Sequence, residues 1–91
     1  INILPADLFG LTGDGVTQIG LRPEQITQGS GKPAEIIRVE HLGDQTRLHL
    51  KLGGYDITTL AAPDVSYDVG SNVKIEPFEP LLFDDNGNRI F

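Results

Sequence analysis

The 91-residue chain contains no cysteine, no methionine and no tryptophan. Without cysteine there is no disulfide, no thiolate nucleophile and no Cys-ligated zinc or iron–sulfur centre. Without methionine, a chain that begins at Ile1 is expected to be a piece of a longer one. Long apolar runs are also missing. The longest span three residues, at Leu60–Ala62 and Leu81–Phe83, far short of the ~20 that a membrane-crossing helix needs. No basic stretch followed by an apolar one opens the chain, so no secretory signal is expected. Positive charge is scarce, with seven Lys+Arg against thirteen Asp+Glu and a net charge of −6. That balance argues against a general nucleic-acid binder, which needs positive surface to release counterions, and against an anionic membrane surface. Four Phe and two Tyr leave few platforms for base stacking.

What is present reads as strands and turns. At this length one small domain is expected over residues 1–91, with a single modest core. No window of helical length carries a 3.6-residue apolar period, and Pro5, Pro23, Pro33, Pro63, Pro77 and Pro80 divide the chain into short pieces. Asp7–Leu11 and Val16–Arg22 flank Thr12-Gly13-Asp14-Gly15 and read as a hairpin. Gln28–Pro33 reads as a flexible loop. Ala34–Leu42 carries apolar residues on both faces and predicts a strand buried on two sides. Thr46–Leu52 alternates without error, with Leu48, Leu50 and Leu52 on one face and Arg47, His49 and Lys51 on the other. Tyr55–Ala61, Val73–Glu76, Leu81–Asp84 and Arg89–Phe91 complete the strand candidates, with Asp85-Asn86-Gly87-Asn88 as a strong turn. The expected class is all-β, a small OB-like barrel or partly open β-sandwich of about five to seven short antiparallel strands.

Catalytic and metal motifs fail on spacing. Gly29-Ser30-Gly31-Lys32 resembles a phosphate loop, but Ile26 stands where the first glycine belongs and Pro33 where the magnesium-binding hydroxyl belongs. Asp84-Asp85-Asn86-Gly87-Asn88 lacks the calcium-loop spacing and its closing glutamate. His41 and His49 fall on different strands without a triad or an H-E-x-x-H pattern. No catalytic residue and no metal ligand set is expected. The stripe Arg47, His49, Lys51 reads as the solvated face of a half-buried strand.

Three patterns in order, and a fourth before them, resemble one family. Gly20-Leu21-Arg22-Pro23-Glu24 resembles a "G-I-R-P-E" segment, and Val39-Glu40-His41-Leu42-Gly43-Asp44-Gln45-Thr46 resembles "V-E-x-L-G-x-E-T". Leu82-Phe83-Asp84 with Gly87-Asn88-Arg89-Ile90 resembles a closing "L-F-D-x-x-(T)-G-x-R-I", and Asn2-Ile3-Leu4-Pro5 resembles "N-F-L-P". Together they are similar to the transport-associated OB (TOBE) domain, found at the C-terminus of ATP-binding subunits of maltose/glycerol-phosphate-type ABC importers. The resemblance implies architectural roles for Gly20, Arg22, Pro23, Glu24, Glu40, Leu42, Gly43, Thr46, Phe83, Asp84, Gly87 and Arg89. It implies a non-catalytic regulatory domain that pairs with its own copy; an apolar strand face such as Ile57/Thr59 or Leu81/Phe83 is the expected contact. The parent would work with membrane permease subunits in sugar or polyol-phosphate uptake, on the cytoplasmic side of the inner membrane. ATP and magnesium would belong to an ATPase domain absent from this chain, which lacks any Walker motif. The pattern departs from the family at Leu81, where a histidine is usual, at Gln45, where a glutamate is usual, and in the shorter stretch before Gly20. An alternative of a different class is a small-anion sensor using Arg22, Arg47 and Lys51, with backbone N–H groups near Gly43.

Overall fold

The computed structural model describes residues 1–90. Eight strands form among them: β1 (Asn2–Pro5), β2 (Gln18–Leu21), β3 (Ile26–His41), β4 (Thr46–Leu52), β5 (Tyr55–Ala61), β6 (Asn72–Pro77), β7 (Leu81–Phe83) and β8 (Arg89–Ile90). They pair antiparallel in two four-stranded sheets, ordered β1-β2-β7-β8 and β5-β4-β3-β6. The all-β class and the partly open sandwich are therefore what the chain adopts. The last residue of the expected return strand, Phe91, lies outside the described residues.

The alternation in Thr46–Leu52 sets the core. Leu48 and Leu50 are buried, while Arg47, His49 and Lys51 point to the outer face. They pack with Ile36, Ile57 and Ile75 of the same sheet and with Leu4, Ile19 and Leu21 of the other. Full burial of such a side chain stabilises by roughly 1.5–3 kcal/mol.

Three expectations are corrected. The first hairpin does not use Asp7–Leu11. Instead β1 pairs with β2, Ile3 opposite Gly20 and Leu4 opposite Ile19. Ala6–Phe9 forms a 3-10 turn that stops at Gly10, φ 70°. The turn tucks Ala6 fully into the core, and Thr12–Gly15 still reverses the chain through the Gly13–Val16 bridge.

Gln28–Pro33 is not a flexible loop but the bent middle of the 16-residue β3. Gln28 and Lys32 both register against Ile75, so the residues between them are looped out as a bulge, with Gly29 at φ 109° and Gly31 at φ 101°. Finally, β3 is not buried on both sides. A second register shift between Ile36 and Arg38 makes Ile37 the extra residue, and Ile37 and Leu42 stay exposed while Ile36 is buried. A bulge inverts the in–out parity beyond it. That is how Ile36 and Val39 both reach the core.

The sheets do not close into a continuous barrel, and side chains bridge the opening. Asn2 Nδ2 donates to Leu21 O at 3.1 Å and to Thr58 O at 3.0 Å, and its Oδ1 accepts from Thr58 N at 2.9 Å. Asn2 thus presents to edge strand β5 the donor and acceptor of an absent strand. Farther along β5, Gln28 Nε2 donates to Thr59 Oγ1 and Leu60 O, both at 3.0 Å. The buried Thr59 hydroxyl donates in turn to Pro23 O at 3.0 Å.

Candidate functional site

Two outer faces and one cleft carry the features on which a function can be built. On the outer face of the second sheet, the bulge after Ile36 turns Arg38 and Glu40 toward solvent beside β4. Glu40 stands opposite Arg47 and Arg38 opposite His49. Glu40 is the hub: His49 Nε2 donates to Oε1 at 2.5 Å, Arg38 Nη2 lies 3.4 Å from Oε2, and Arg47 Nη1 lies 3.9 Å from Oε1. Lys51 Nζ pairs with Asp56 Oδ1 at 3.5 Å. Arg47 and Lys51 therefore share a face, as the alternation requires, and both already have carboxylate partners. Arg22 is elsewhere, at the end of β2. Its N–H donates to Gln25 Oε1 at 2.8 Å, and its side chain borders a shallow cleft with Glu24, Gln25 and Leu81.

The hydrogen bond from His49 holds the Glu40 carboxyl below the usual carboxylate range, helped by the charges of Arg38, His49 and Arg47 and opposed by desolvation. The unfolded chain then binds the Glu40 proton more tightly than the folded one. This contribution to stability is fully present above the ordinary glutamate value of about 4.3 and is lost as pH falls through the lower folded value. Glu40→Gln is expected to flatten the acid limb of stability between about pH 5 and pH 3. Urea midpoints of both proteins across that range test it. Two curves that fall in parallel would show that the cluster has no part in acid sensitivity.

The outer face of the first sheet is apolar. Ile3 lies opposite Gly20, and Gly20 opposite Leu81. A Cβ at Gly20 would sit 3.0 Å from the Phe83 ring and 3.4 Å from both Ile1 and Ile3. Gly20 is thus the flat floor over which these side chains meet. Ile1 and Ile3 are 69% and 51% exposed, and Leu81 and Phe83 are half-buried. Ile57 and Thr59, the other expected pairing face, are 1% and 0% exposed and belong to the core, so they are not available to a partner.

The remaining motif residues sit in or beside turns. Pro23 opens a 3-10 turn, Pro23–Gln25, capped at Arg22, with Glu24 exposed on it. Gly43, at φ 88°, reverses the chain between Leu42, whose N–H donates to Gln45 O, and Thr46. Thr46 is buried, and its hydroxyl has no hydrogen-bond partner among the described residues. Asp84 Oδ1 accepts from the N–H groups of Asn86 and Asn88, both at 2.9 Å, and Gly87 takes φ 81°. That builds the last turn, which delivers Arg89 opposite Phe83. Among the described residues no group of three or more His, Asp or Glu gathers as metal ligands, and no helix is long and apolar enough to cross a membrane.

Sequence reasoning missed the Asn2 clasp and a cleft of about 510 Å³ lined by Phe9, Leu11, Gly31, Lys32, Glu76 and Pro77. Asn2 stands out in the sequence only as the first residue of Asn2-Ile3-Leu4-Pro5, and nothing local shows that its side chain reaches Thr58, 56 residues away. The cleft depends on the bulge in β3, which no local pattern announces.

A family model described as the TOBE domain matches residues 19–78, more than half of the chain. The chain is also 34% identical over 84 residues to a Sinorhizobium fredii (strain NBRC 101917 / NGR234) protein named an uncharacterized ABC transporter ATP-binding protein. That match covers 88% of this chain and 23% of the relative's length.

Proposed function

The chain belongs to the TOBE domain family, and from that premise we propose that it is the regulatory and dimerising domain of an ABC-importer ATP-binding subunit. A TOBE domain is itself non-catalytic. The family match, joined to the ATP-binding relative, carries this reading. Its mechanism is mechanical. Two copies associate through the apolar face of Ile3, Leu81 and Phe83 around Gly20, and hold two ATPase domains near each other after nucleotide leaves. Tethering of this kind acts by raising effective concentration. The whole subunit would sit with its permease partners at the cytoplasmic side of the membrane, its ATP and magnesium held by the ATPase domain. Its cargo would be a sugar or polyol phosphate, a proposal that rests on the motif resemblance alone.

Sedimentation analysis tests the dimer. At about 0.1 mM the chain is expected to sediment as a dimer, given the micromolar affinities of modest interfaces. Ile3→Lys or Leu81→Lys should return it to a monomer with an unchanged far-UV spectrum, because both side chains lie on the outer face. A monomeric wild-type protein at that concentration would remove the apolar face as a dimer surface.

A further inference from the structure

The cleft at the bulge of β3 lies outside everything proposed above. Three separate elements build it. The 3-10 turn and the segment after it bring Phe9 and Leu11, both half-buried against the core. The bulge brings Gly31 and Lys32, and the end of edge strand β6 brings Glu76 and Pro77. Bulges commonly re-aim a side chain beside a binding site. Here the bulge sets Lys32 at the rim of a concavity of about 510 Å³, within the range of small-molecule sites.

The cleft is lined by charges of both signs. Arg38, Arg47 and Lys51 all pair with carboxylates. Lys32 and Glu76 line one cleft with opposite charges, yet they pair neither with each other nor, by side chain, with any other described residue. Phe9, Leu11 and Pro77 add apolar surface to the same lining. A simple anion would meet the Glu76 carboxylate, and a simple cation would meet the Lys32 ammonium. A neutral apolar molecule would take water from both charges and replace it with nothing. Only a ligand bearing both charges gives each of them its counterpart.

We propose that this cleft binds a free α-amino acid with an apolar side chain, its carboxylate on Lys32, its ammonium on Glu76 and its side chain against Phe9, Leu11 and Pro77. The inference does not rest on the importer reading. Because the cleft is open to solvent, both ion pairs are partly screened, and an affinity of about millimolar is expected.

The test is a titration of leucine into isotope-labelled protein, followed by amide chemical shifts. Saturable changes are expected at Leu11, Gly31, Lys32 and Glu76. N-acetylleucine lacks the ammonium and leucinamide lacks the carboxylate, and each should bind about two- to fivefold more weakly, the scale of one solvent-screened ion pair. Lys32→Ala should erase the preference for leucine over leucinamide, and Glu76→Gln the preference over N-acetylleucine. Both positions are exposed, so the spectra of the variants should remain those of the folded protein. Absence of saturable change with leucine would overturn the proposal. So would glucose, phosphate or either blocked analogue binding as tightly as leucine, or an affinity untouched by both substitutions.

Discussion

Asn2→Ala is expected to lower the melting temperature by about 10–20 °C. The side-chain amide makes three hydrogen bonds, to Leu21 O, Thr58 O and Thr58 N. Alanine would leave those backbone groups to find water in a half-buried seam. Losing the set costs about 2–3 kcal/mol at a typical net worth of about 1 kcal/mol per bond. In a domain of this size each kcal/mol moves the midpoint by about 4–8 °C. Thermal unfolding followed by circular dichroism measures the shift. Asn2→Asp sharpens the test. It keeps an acceptor for Thr58 N–H but sets a carboxylate against the carbonyl oxygens of Leu21 and Thr58, so its effect should be at least as large. A shift of only a degree or two for both variants would mean that the Asn2 clasp contributes little to holding the two sheets together.

The clasp explains how an open sandwich manages its edges. Strand β5 ends the second sheet and β1 ends the first. Two exposed edges facing each other would either pair or invite another chain. Asn2 and Gln28 occupy the backbone groups of Thr58 and Leu60 instead. The outer face of the first sheet remains the surface on which association is proposed. Association there uses side chains and leaves the seam intact.

Period-2 alternation is a local property, and where it governs, the sequence was legible. Arg47, His49 and Lys51 face outward and Leu48 and Leu50 inward because each pair differs by two residues within one strand. The turn at Asn86-Gly87 was legible for the same reason, since Gly87 takes the positive φ that the turn demands. Ile37 was not. One looped-out residue reverses the parity of everything after it, and no feature near Ile37 marks the reversal. The partner of β2 was also misread, because Asp7–Leu11 is nearer in sequence and equally apolar. Burial of Ala6 and the 3-10 turn took that segment out of the sheet. The hub role of Glu40 needed the cross-strand register as well. The sequence places Glu40 seven residues from Arg47, and only the β3–β4 pairing sets them opposite one another.

The bulge between Gln28 and Lys32 carries the other large prediction. Gly31→Ala should leave the protein unfolded, or so destabilised that no cooperative transition survives at room temperature. A Cβ on Gly31 would stand 2.1 Å from the carbonyl oxygen of Ile75 and 2.7 Å from the Glu76 Cβ. The backbone there cannot yield easily, because Ile75 is fully buried and registers with both Gln28 and Lys32. The positive φ of 101° adds strain for any L side chain, of about 1–3 kcal/mol. Together the clash and the strain exceed the ~5 kcal/mol that single substitutions rarely surpass, which approaches the whole stability of a small domain. Gly29→Ala is the control, with a similar φ of 109° but nothing within 4 Å of its Cβ. It should lose only the backbone term, about 1–3 kcal/mol, and unfold cooperatively at a lower urea concentration. Equal midpoints for the two variants would show that the bulge relaxes around Ile75, and that Gly31 is there for its φ alone.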